Sequence, residues 1–230
     1  MSRASNRTSA AATLGGLAAL LATGASAYWF AVRPWHLRWG ATDEEIARPL
    51  PGNDLIPDAK LSSTHAITIH ASPAEIWPWL VQLGQGRGGF YSYDWIENAM
   101  GLDIHTANRI LPEFQDLKVT DTIPLAPDGF GLPVVILEPE QAMVLRGDTR
   151  LPSGDEMPAL KPGEYLAAVW GFYLIGQADG ATRLVERWRA DYTPTVKNAV
   201  FYRAFLEPGA FLMQRKMLLG IKTRAERDLA

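Results

Sequence analysis

The chain has no cysteine, which removes disulfides, thiolate catalysis, Cys-ligated zinc and iron–sulfur ligation and leaves the redox compartment open. An excess of positive charge is also missing. Lys and Arg number 22 against 25 Asp and Glu, for a net charge of −3, and the basic residues are scattered, so no nucleic-acid partner is expected. Repeats, low-complexity tracts and a G-x-S-x-G nucleophile signature are absent, and neither metal nor cofactor is expected. What remains is 230 residues, 47% hydrophobic and 20% charged, enough for one good-sized core.

From Ala10 to Val32 the sequence carries no charge, a length that would cross the roughly 30 Å hydrocarbon layer as a helix. Tyr28, Trp29, Phe30, Trp35 and Trp39 follow with Arg33 and Arg38, as at a membrane–water interface. The expectation is a retained single-pass transmembrane helix over 10–33 after a tail at 1–9, with the membrane as a partner. Arg3, Arg7 and the amino terminus lean toward an inside N-terminus, which puts the following domain on the extracytoplasmic side. A competing reading is a cleaved signal peptide, because Ala25-Ser26-Ala27 has the A-x-A form.

Residues 34–63 are expected as a juxtamembrane linker, since the acidic, proline-punctuated Thr42 to Lys60 has no sustained periodicity. Thr64 to Ala71 alternates as a strand, and Ser72-Pro73-Ala74-Glu75 offers a capping box with proline at N1. The helix that follows places Ile76, Trp79, Leu80 and Leu83 on one stripe, with Pro78 expected to kink it. A glycine-rich loop, Gly84 to Gly89, leads to a second helix near Tyr93 to Met100, ended by Gly101. Strands are predicted at Asp121 to Leu125, Leu132 to Glu138, Gln141 to Arg146, Glu164 to Gly176 and Thr182 to Tyr192, with hairpin turns at 138–140 and 177–180. A proline-rich loop, Gly147 to Gly163, interrupts them. Lys197 to Arg227 then reads as a terminal helix, broken at Pro208-Gly209, with Leu206, Ala210, Met213, Met217 and Ile221 in one stripe.

This order is α+β. Over Thr64 to Arg227 it resembles the helix-grip domains of the START-like or SRPBCC superfamily, which includes the birch pollen allergen type, lipid-transfer domains and polyketide cyclases/dehydratases. The resemblance is carried by Ile67-Thr-Ile-His-Ala-Ser-Pro-Ala-Glu-Ile-Trp-Pro-Trp-Leu, by Leu117-Lys-Val-Thr-Asp-Thr-Ile, and by Val135-Ile-Leu-Glu-Pro-Glu-Gln-Ala-Met-Val-Leu. Two departures stand out: Thr120 occupies the place where the family usually has glycine, and the glycine-rich insert is longer than its ordinary helix connection. The resemblance implies a curved antiparallel sheet wrapped around a long C-terminal helix in a domain at 64–230, with a small hydrophobic or amphipathic ligand held between them. It leaves open a cyclase/dehydratase-type enzyme on a polyketide-like substrate, or a structural domain without a ligand.

Gly84-Gln-Gly-Arg-Gly-Gly89 matches G-x-G-x-x-G literally, but a helix precedes it where a dinucleotide site needs a strand. It is either a tight connection or the rim of a pocket with Arg87 as a polar contact. Arg87, Tyr91, Tyr93 and Trp95 are therefore candidates for the lip, and Trp170, Phe172, Trp188 and Met213 for the apolar wall. Asp94 and Glu97, with Asp103 and His105 beyond, fit either a solvated acidic face or an acid/base group, with His105 a candidate general base. Glu186 alternates with Leu184 and Trp188, so it should share their face. A carboxyl there must be neutral, recruit an arginine, or form a cross-strand pair, and it is the second catalytic candidate.

Overall fold

The computed structural model describes residues 16, 20, 22–151 and 160–227, and divides after Leu37 into two units. In the first, residues 22–27 are helical, Tyr28–Val32 form a π-turn and Arg33–Leu37 form helix α1. The Arg33 guanidinium lies 5.0 Å from the centre of the Trp29 ring. Among the described residues no helix is long and apolar enough to cross a membrane, which overturns the single-pass membrane placement. The continuously described part of the apolar run, residues 22–32, reaches about 16 Å at 1.5 Å per residue, short of the roughly 30 Å hydrocarbon layer, and the helix carries the charge of Arg33 beyond it; residues 10–15, 17–19 and 21 of the run lie outside the described residues.

The second unit begins with a segment expected to be a linker. Thr42 caps helix α2 (Asp43–Ala47) through a full capping box with Glu45, so local chemistry starts a helix where periodicity could not. Strand β1 (Leu61–Ile69) follows, then helix α3 (Pro73–Val81) behind the Ser72–Glu75 capping box, helix α4 (Asp94–Ala99), and β2 (Thr122–Pro124), β3 (Gly131–Glu138) and β4 (Ala142–Asp148). Residues 152–159 of the proline-rich loop lie outside the described residues. Long strands β5 (Leu166–Gly176) and β6 (Thr182–Tyr192) lead to helices α5 (Val196–Phe201) and α6 (Glu207–Ala225). The π-turn Tyr202–Leu206 joins α5 to α6 just before Pro208, where a proline's missing N–H is easiest to accommodate.

The strands make one six-stranded sheet in the order β1-β6-β5-β4-β3-β2, antiparallel throughout. Its two faces differ in what covers them. Ile67, Ile69, Leu184, Phe172, Met143 and Leu145 on the inner face pack with Ile76, Trp79 and Leu80 of α3 and Met217, Leu218 and Ile221 of α6. Ala66, Val185, Val169, Tyr173 and Val144 on the outer face pack with Leu50, Leu55 and Ile56.

Arginines hold that outer cover. Arg187, buried, donates to the carbonyls of Glu45 (2.6 Å), Ile46 (3.1 Å) and Arg48 (2.9 Å) and to Thr64 Oγ1 (3.0 Å), placing a cation at the C-terminal end of α2 where free carbonyls concentrate. Arg183 forms a bidentate pair with Glu45 at 2.8 Å, and Arg189 donates to the carbonyls of Ile56 and Pro57. Strand alternation put these arginines opposite Leu184 and Trp188; their role was not visible without the segment they bind.

Candidate functional site

Between the inner sheet face, α4 and the first turns of α6 lies a cavity of about 310 Å³. Phe90, Leu102, Leu125, Trp170, Trp188, Met213 and Met217 supply apolar wall, and Ala210 leaves room for it on the helix side. Polar lining comes from Ser92, Glu97 and Gln214. Trp170 is the centre of the aromatic wall: its ring meets Trp188 edge-on at 6.1 Å and lies 6.4 Å from Phe90. The size falls at the lower end of ordinary small-molecule sites, and the mixture of apolar wall with few polar groups is typical of them.

Helix α4 positions the single ionisable residue of that lining. Asp94 accepts from Thr106 N (2.9 Å) and Thr106 Oγ1 (2.6 Å), while the Asn98 amide exchanges hydrogen bonds with the backbone of Ile104. These bonds fix the short helix with Glu97 turned inward, 5% exposed. Ser92 donates to Glu97 Oε1 at 2.6 Å, and Glu97 Oε2 is buried with no hydrogen-bond partner in the protein. Burial pushes the Glu97 carboxyl up, Asp94 adds to the shift, and the Ser92 bond offsets part of it.

The wall candidates Trp170, Trp188 and Met213 line the cavity. Phe172 lies behind it, fully buried 5.0 Å from the Trp170 ring. Glu186 does face inward with Leu184 and Trp188, at 0% exposure, but it is not part of the cavity lining. Its Oε2 pairs with His65 Nδ1 at 2.8 Å and its Oε1 accepts from Trp170 Nε1 at 2.6 Å. His65 is its direct neighbour across β1 and β6, so the cross-strand pair is what forms. Glu186 thus steadies the Trp170 indole from behind.

The lip candidates do other work. Arg87 turns away and donates to the carbonyls of Val81 and Leu83, closing the end of α3. Tyr91 is buried against Trp79, donates to the Trp79 carbonyl and accepts from Gln82, and burial raises its phenol well above the usual range. Tyr93 packs under the Lys216 ammonium, and Trp95 is 72% exposed on the far side of α4 from Glu97 and absent from the cavity wall. His105 is exposed, paired with Asp103, and not among the residues lining the cavity. The glycine loop is a closed turn bridged between Gly84 and Gly89.

One residue escaped sequence reasoning: His65 shares its parity with Ile67 and Ile69, and that signal could have placed it inside. Glu97 was read as part of a solvated acidic face or an acid/base group; its burial gave no signal, because α4 is too short to show a buried stripe.

No family model matches the chain, and no curated protein matches it. Among solved structures it is similar to protein MLL2253 of Mesorhizobium loti, at 15% identity over 73% of this chain and 98% of that one, with a TM-score of 0.41. The hypothetical protein jhp0584 of Helicobacter pylori aligns at 9% identity over 78% and 96%, with a TM-score of 0.45. DynU16, a protein of the dynemicin biosynthetic locus, aligns at 12% identity over 70% of this chain and 47% of its own, with a TM-score of 0.38. At these values the likeness assigns no function, and the α+β architecture stands on the topology itself.

Proposed function

We propose that the domain binds a small apolar or amphipathic molecule in the cavity between its sheet and its terminal helix, in the manner of a helix-grip domain. The observation that carries this is the cavity of about 310 Å³ whose walls are Phe90, Trp170, Trp188, Met213 and Met217. Left empty, apolar walls that do not touch forfeit contact energy, so a matching guest is stabilised by filling them. The strand–helix–meander–helix order supports the helix-grip assignment. A cyclase/dehydratase activity would need a proton-moving group on this wall, and Glu97 is the one ionisable residue among those lining it.

The test is mass spectrometry of an organic extract of the purified protein, coupled to displacement of a neutral apolar dye such as N-phenyl-1-naphthylamine. The expected result is a stoichiometric small molecule or saturable dye binding, abolished by Ala210→Trp, which fills the space from α6. A dye that does not saturate, or that binds the Ala210→Trp variant equally well, overturns the reading.

A further inference from the structure

We infer that the cavity selects a ligand carrying a carbonyl oxygen, which accepts a hydrogen bond from the Oε2 side of Glu97. The inference rests on the ligand-binding reading above and adds to it the chemical class of the guest. A carboxyl has two oxygens, and the protein provides for only one of them: Ser92 donates to Oε1 at 2.6 Å, while Oε2 is buried without a protein partner.

An ionised carboxylate so placed would keep a charge out of water with a single hydroxyl to stabilise it, at a cost that drives such groups to hold a proton. Held as the neutral acid, Glu97 carries one O–H donor. In the inferred arrangement Ser92 keeps donating to Oε1 and the acid proton sits on Oε2, where no protein acceptor meets it. A buried donor without an acceptor is costly to leave and is repaired by a guest that brings an acceptor. The rest of the wall is hydrocarbon and aromatic save Ser92 and Gln214, so the guest is an apolar ketone, aldehyde or ester and not a sugar or an ionic metabolite.

A matched pair of probes tests this on the full chain: 2-acetylnaphthalene and 2-ethylnaphthalene, alike in shape and differing in the carbonyl. Affinities come from dye displacement at mildly acidic pH, and the infrared C=O stretch of the bound ketone reports its hydrogen bond. The expected preference for the ketone is about five- to tenfold, the worth of one net hydrogen bond, with the stretch shifted to lower frequency. Glu97→Leu should bring the two probes to parity, whereas Glu97→Gln, which keeps an N–H donor, should retain part of the preference. Equal binding of both probes by the wild type overturns the carbonyl assignment and leaves the cavity reading standing. Binding of neither overturns the cavity reading itself. Tighter binding of 1-(2-naphthyl)ethylamine than of the ketone would identify Glu97 as a carboxylate counter-ion and also overturn the assignment. If Glu97→Leu does not fold, the wild-type stretch decides: an unshifted band sinks the proposal.

Discussion

Gly220 of the terminal helix lies against the backbone of Tyr91, so closely that a Cβ on Gly220 would collide with the Tyr91 carbonyl oxygen. Tyr91 itself has φ +57°, a left-handed conformation that a bulky residue adopts only when its surroundings compel it. The buried phenol, held by the Trp79 carbonyl and the Gln82 amide, supplies that compulsion. Helix α6 and the glycine-loop exit are therefore fitted to each other through one missing methyl group.

Gly220→Ala should consequently destabilise the fold. Helix propensity favours alanine by about 1 kcal/mol, but overpacking against fixed backbone costs typically about 1–3 kcal/mol, and the collision here is with main chain. Gly209→Ala, in the same helix with nothing near its would-be Cβ, should instead gain up to about 1 kcal/mol. Urea unfolding of the two variants gives opposite signs if this account is right.

Loss of Arg187 should detach the outer cover. Its guanidinium holds three carbonyls of the 45–48 segment, and hydrogen bonds to a charged donor contribute about 1.5–3 kcal/mol each. Arg187→Met is expected to cost at least about 3 kcal/mol and to open residues 42–60 to limited proteolysis. Arg187→Lys should rescue little, because an ammonium cannot reproduce the planar fork. Proteolysis followed by mass mapping reads the outcome, and cleavage elsewhere first would contradict it.

Glu97 and Glu45 should respond to pH with opposite signs. The Glu97 carboxyl is raised above 4.5 by burial, so its ionisation opposes folding; the cost is absent below 4.5 and complete above the folded-state value. Glu97→Gln is thus expected to be more stable than wild type at neutral pH, with the gain vanishing as pH falls below 4.5. For Glu45 burial would raise the carboxyl, but the Arg183 pair and the Thr42 bonds bring it below 4.5. Its stabilisation is present above 4.5 and is lost as pH falls through the lowered value, so Glu45→Gln should cost stability at neutral pH and nothing in strong acid. Denaturation midpoints across pH check both.

Glu186→Gln separates support from contact. Because Glu186 holds His65 and Trp170 but does not line the cavity, the substitution should lower stability by about 1–3 kcal/mol. Dye affinity should stay within about threefold of wild type, since the cavity wall keeps its residues. A large affinity loss at unchanged stability would instead make Glu186 a ligand contact.

The sheet was legible in the sequence because alternation and turn residues speak locally: β6 runs over Thr182–Tyr192 as the pattern predicts, and the capping box starts α3 at Pro73. Parity also put Glu186 inside with Leu184 and Trp188. Its partners were not legible, since His65 is its neighbour only once β1 pairs with β6. The glycine-rich loop with its rings suggested a ligand rim, yet Arg87 and Tyr91 are consumed by backbone carbonyls that local pattern cannot assign. The apolar run before Arg33 read as a span from its composition; its described part is helical with a π-turn at Tyr28–Val32, and among the described residues no helix is long and apolar enough to cross a membrane.

Strand β1 ends the sheet, and Trp39-Gly40 crosses that end. The Ala66 amide donates to the Trp39 carbonyl at 3.1 Å, and Gly40 leaves no room for a side chain over the Ala66 carbonyl. A nine-residue terminal strand would otherwise offer its backbone as a template on which another chain could add a strand. The passage that looks like mere connection therefore works as a selvedge, a finished border that keeps the weave from taking up further threads, and a chain cut to begin at Ala41 should lose that border and self-associate in proportion to its concentration.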